Sequence, residues 1–113
     1  MILKQMVDKL EAIPVYVPEN WEEIQVGSVF ASDLISDILV SEGEEQLLLT
    51  SLTTPQVVRT AAIVGAAAVI IVHRKQIPPG LAGSARIEEI PLFYSSTSKY
   101  DACVRLGKME DAP

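Results

Sequence analysis

Ile2, Leu3, Met6, Val7 and Leu10 recur at helical spacing, which predicts an amphipathic helix over residues 2–11 that Pro14 ends. Val15–Val17 reads as a short strand, followed by the turn cluster Pro18-Glu19-Asn20 and a second strand, Gly27–Ala31. Asp33 suits the N-cap of a short helix through Val40, with Ser36 and Asp37 in its first turns. A polar loop, residues 41–45, precedes the apolar strand Leu47–Thr50. Thr54 then caps a helix whose first residue is Pro55, where the missing N–H is harmless. Gly65 suits its end, because glycine enters the left-handed region freely. Ala66–His73 is the central strand, and Pro78-Pro79-Gly80 turns the chain into a helix over residues 81–89. Pro91–Tyr94 is a further strand, and Thr97 or Ser98 caps a last helix to about Gly107.

The second half therefore repeats strand and helix three times. Crossovers of this length between apolar strands imply right-handed connections and a parallel sheet. The expected fold class is α/β, a small three-layer-like domain with a mostly parallel sheet flanked by helices. The chain has 113 residues, 49% of them hydrophobic, which suits one domain over residues 1–108 and a disordered tail at 109–113. The longest apolar run, Ala61–Val72, is interrupted by Gly65 and is too short to span a bilayer. Asp8 and Glu11 argue against a signal peptide. The single cysteine, Cys103, has no internal disulfide partner and is expected to be a buried, inert thiol. These features suit a reducing cytoplasm.

Charge changes the picture of partners. The formal net charge of −6 argues against nucleic acid and against anionic membrane surfaces. It is unevenly spread: residues 1–45 carry two bases against ten acids, whereas the remainder is slightly basic. Arg74, Lys75, Arg86, Lys99 and Arg105 lack the aromatic interleaving of a nucleic-acid surface.

Candidate chemistry gathers at the helix that Thr54 opens. Thr53, Thr54, Gln56 and Arg59 follow a buried strand, where a helix N-terminus offers free N–H groups and positive dipole to an anion or nucleotide. Gln56, Arg59, Thr60 and Ile63 share one face, apart from the Val57, Ala61 and Val64 core face. The structural alternative is a plain cap, with Arg59 solvated or facing a subunit. Asp33, Ser36 and Asp37 form a second group, of which Asp33 and Ser36 are counted with the candidate ligand-binding residues. Two carboxylates four apart suit Mg²⁺, yet no third ligand completes a site, so they read better as acids complementing the helix dipole. His73, the only histidine, falls at the carboxyl end of the central strand but lacks a nucleophile or carboxylate partner. No catalytic constellation, metal site or cofactor is implied.

Four segments resemble a known family. Gly27–Asp37, Leu52–Ala61, Ile90-Pro91 and Ala102–Leu106 together resemble the small stand-alone DRTGG-domain proteins, related to the N-terminal regulatory domain of HPr kinase/phosphorylase. The resemblance runs from about Leu3 to Gly107, and its most specific pieces are Ser32-Asp33-Leu34 with Ser36-Asp37, and Pro55–Thr60. It implies a fold like that of the kinase's N-terminal domain and a non-catalytic role in regulation and dimerisation. The chain has no Asp-Arg-Thr-Gly-Gly run; the nearest stretch is Val58-Arg59-Thr60-Ala61-Ala62. It also lacks a Walker A motif, so no kinase activity is implied.

The expected function is a non-catalytic regulatory or interaction domain, homodimeric, with an anion or nucleotide at the Thr53–Arg59 cap. Residual apolar strips support the dimer: Ala102, Cys103 and Leu106 form one on the last helix, and Tyr100 and Val104 another. The competing expectations are a small enzyme or kinase accessory in phosphoryl chemistry, and a dedicated subunit that docks on a protein partner.

Overall fold

A computed structural model of the chain describes residues 1–110. The elements are α1 (Leu3–Lys9), β1 (Ile13–Tyr16), a 3₁₀ turn (Trp21–Glu23), β2 (Ser28–Ala31), α2 (Ile35–Leu39), β3 (Gln46–Thr50), α3 (Pro55–Ile63), β4 (Ala68–Ile71), α4 (Leu81–Glu88), β5 (Leu92–Tyr94) and α5 (Lys99–Glu110). One five-stranded sheet has the order β1-β5-β4-β3-β2. Strands β2 to β5 are parallel, and β1 joins β5 antiparallel. The α/β class with a mostly parallel sheet is as expected.

The two middle strands explain the three layers. Every residue of β3 and β4 is buried, the mark of strands covered on both faces. Successive side chains point to opposite faces, so each strand feeds two cores. Leu47, Leu49, Ala68, Ile70 and Phe93 pack with Leu3, Met6, Leu10, Ala102 and Leu106, which places α1 and α5 on that side. Leu48, Val69, Ile71 and Leu92 pack with Ile38, Val57, Ala61 and Ala85, which places α2, α3 and α4 on the other. Trp21 closes the first core against Phe93, with ring centroids 5.1 Å apart.

Several local expectations are corrected. Pro14 does not end α1. It lies in β1, an edge strand that tolerates the lost donor, and α1 gives way at Glu11, whose φ is +52°. Asp33 does not cap α2: Leu34 holds the cap position, and the Asp33 carboxylate turns toward β3 instead. Thr60 does not share the exposed face of Gln56 and Arg59; it is buried beside Val57 and Ala61, because the apolar face of α3 spans both rows. Cys103 is exposed, since Ala102 and Leu106 set the buried line of α5 and Cys103 lies off it. The last helix does not stop near Gly107 and continues to Glu110. Met109 thus belongs to α5 rather than to a tail, because it extends the Ala102–Leu106 stripe against the core. Residues 111–113, the rest of the expected tail, lie outside the described residues.

Ser98, rather than Thr97, caps α5: its Oγ accepts the Asp101 N–H at 3.1 Å. Ser95 is buried and donates its hydroxyl to the Leu10 carbonyl at 2.6 Å, pinning the end of α1 to the end of β5. No helix among the described residues is long and apolar enough to cross a membrane.

Candidate functional site

The parallel strands bring their carboxyl ends to one edge of the domain. β3 leaves the sheet at Thr50 and passes through Ser51–Thr54 into α3. Thr54 has extended backbone and holds the N-cap position without a side-chain hydrogen bond, and Pro55 follows as the first helical residue. The neighbouring β4 continues one residue further, with the Val72 N–H donating to the Thr50 carbonyl at 2.8 Å. The chain then breaks away at His73, which adopts the left-handed region at φ +62°. Its backbone N–H donates to the Thr97 carbonyl at 2.8 Å and that of Arg74 to the Ser95 carbonyl at 3.1 Å, so the turn is anchored on the β5–α5 loop. Gly80, at φ +100°, returns the chain into α4.

Between these loops lies a cleft of about 560 Å³, lined by Thr53 on one side and by the stretch from His73 to Pro79 on the other. Arg74 and Lys75 bring two basic side chains to it, and no acidic residue lines it among the described residues. This is where open parallel sheets place ligands, outside the carboxyl ends of the strands. Arg74 is held in place: its Nε and Nη2 donate to the Ser51 carbonyl at 3.2 and 2.8 Å. Lys75 is exposed and forms no ion pair among the described residues.

A partly exposed polar cluster supports the loop from below. Asp33 Oδ1 accepts the Ser51 N–H at 2.7 Å and the Thr50 hydroxyl at 3.0 Å. Its Oδ2 accepts the Ser51 hydroxyl at 2.6 Å and the Lys99 ammonium. Partial burial pushes the Asp33 carboxyl up, but Lys99, the Ser51 amide and the two hydroxyls together outweigh it. The group is held well below the usual carboxylate range.

The candidate residues from the sequence are therefore divided. Thr53 lines the cleft, and Thr54 and Gln56 stand exposed at the start of α3 beside it. Arg59, one turn along, lines a separate groove of about 220 Å³ with Ser84, Ile87 and Glu88 between α3 and α4. Ser36 is exposed on α2, whereas Asp33 serves the loop after β3. Sequence reasoning missed the contribution of the 74–79 stretch, although two basic residues directly after a buried strand carry that signal. It also missed Lys99, which no local pattern links to Asp33.

No protein-family profile matches the chain, and no curated protein matches it. Its fold does have a solved counterpart. The chain superposes on part of a solved structure of the CBS and DRTGG domains of the regulatory region of a Clostridium perfringens pyrophosphatase, in complex with the activator diadenosine tetraphosphate. The TM-score is 0.72 at 12% identity, over 89% of this chain and 44% of that one. The likeness is one of fold, and this chain spans less than half the length of its neighbour.

Proposed function

We propose that this chain is a non-catalytic regulatory domain that binds a nucleotide, through its phosphates, in the cleft between the β3–α3 and β4–α4 loops. The observation that carries the reading is the cleft itself: Arg74 and Lys75 both line it, and no acid does so among the described residues. Its volume falls within the usual range for small-molecule sites. The Thr53 hydroxyl and the start of α3, with Thr54 and Gln56, add polar groups and a positive dipole for phosphate. Ile77, Pro78 and Pro79 offer apolar surface for a base. The structural neighbour is a regulatory region complexed with a dinucleotide activator, which favours the same ligand class here.

The reading includes self-association. Large apolar side chains are exposed on both faces that could pair: Leu39, Val40, Ile63 and Ile87 on the side of α2, α3 and α4, and Tyr100 on the side of α5. The lone cysteine suits a reducing, cytoplasmic setting. Light scattering coupled to gel filtration gives the mass directly, and a monomer at every concentration removes the dimer from the proposal.

Calorimetric titration with AMP, ATP, diadenosine tetraphosphate and inorganic tripolyphosphate tests the ligand. Saturable binding that weakens with salt is expected, because phosphate recognition here is electrostatic. At a ligand concentration 100-fold above Kd the folded state gains about 2.7 kcal/mol, enough to raise Tm measurably. A melting temperature that none of the four moves refutes the proposal.

A further inference from the structure

Resting on that reading of the cleft, we infer that Asp33 and Lys99 are positioning residues for ligand binding, acting through Ser51 without touching the ligand. Both the backbone N–H and the backbone carbonyl of Ser51 are committed. Asp33 takes its N–H at 2.7 Å and its hydroxyl at 2.6 Å, while Arg74 clasps its carbonyl at 3.2 and 2.8 Å. A continuous path thus runs from Lys99 through Asp33 and Ser51 to Arg74, which lines the cleft. Ser51 also begins the short connection to Thr53 on the opposite wall. The clasp therefore sets both the cation and the loop.

The arrangement reaches across the molecule. Asp33 follows β2 at one edge of the sheet, and Lys99 opens α5, which follows β5 on the far side of β3 and β4. The pair bridges the carboxyl ends of the strands between them. Asp33 accepts four donors, one of them charged, and charge-assisted bonds of this kind are the strong ones. A loop held so firmly is preorganised, which spares the ordering cost of binding.

Asp33→Asn separates positioning from plain electrostatics by the sign of its effect. An aspartate acting only through its field repels a polyanion, so its removal tightens binding. A positioning aspartate does the reverse. Tripolyphosphate titrated calorimetrically into the full chain is expected to bind Asp33→Asn about tenfold more weakly. Hydrogen exchange at the Ser51 amide is expected to quicken in the same variant. Ser51→Ala removes one donor and keeps the backbone bonds, so a smaller loss in the same direction is expected, and it stands in should Asp33→Asn not fold. Equal or tighter binding by the variant, with unchanged exchange at Ser51, overturns the inference. A wild-type chain that binds no tripolyphosphate overturns the reading of the cleft instead. The clasp is then judged by exchange alone: faster in Asp33→Asn upholds it, unchanged overturns it.

Discussion

Asp33 and Lys99, 66 residues apart, form an ion pair that ties the loop after β2 to the first residue of α5. The same carboxylate accepts the Ser51 amide and hydroxyl, so one side chain joins the ends of three elements. A single acid in this position links the fold to the cleft above it.

The depressed carboxyl of Asp33 makes stability depend on acid. The unfolded chain binds its proton near the ordinary aspartate value of about 4 and the folded chain only at lower pH. The Asp33 contribution is therefore fully present above that ordinary value and is lost as pH falls through the folded value. Urea midpoints of the wild type and Asp33→Asn are expected to differ most near neutrality and to converge in acid. A gap that stays constant from neutral to acidic pH contradicts this.

Arg59 and Lys75 separate the two grooves. Lys75→Ala removes a cation from the cleft and is expected to weaken ATP binding several-fold, by about 1 kcal/mol. Arg59→Ala alters the groove between α3 and α4 and is expected to leave ATP affinity within about twofold. Parallel titrations decide, and the opposite ranking moves the ligand to the Arg59 groove.

Phe93 is fully buried and meets the ring of Trp21. Phe93→Ala is expected to cost about 3–5 kcal/mol through lost transfer energy and the cavity left behind. Trp21 is the only tryptophan, so its fluorescence during urea unfolding reports the loss directly.

Gly65 sits at φ +70° just after α3, and a Cβ there meets nothing within 4 Å. Gly65→Ala is expected to destabilise by about 1 kcal/mol from backbone conformation alone. Ser98→Ala, which removes the cap of α5, is expected to cost about 1 kcal/mol as well. Urea midpoints measure both.

The elements of the second half are legible because their signals are local. Pro55 opens α3 and Gly65 follows its end, as their backbone preferences dictate. The apolar runs Leu47–Thr50 and Ala66–Val72 announce strands covered on both faces. The first half was harder to read. Pro14 looks like a helix stop, yet it occupies an edge strand where a missing donor is harmless. Within the second half, Thr60 looks polar on an exposed row, yet packing of α3 buries it.

The candidate site divides in the same way. Thr53, Thr54 and Gln56 were legible as a helix start after a buried strand, and the structure sets them at the cleft or beside it. Short-range backbone preference and hydrophobic period thus determined the helices, the buried strands and the parallel crossovers. Only the tertiary structure decided that β1 runs antiparallel beside β5, that Arg59 and Thr53 face different grooves, and that Asp33 serves Ser51 and Lys99 rather than its own helix. Those relationships join residues distant in the chain, and packing of the sheet, not local spacing, brings them together.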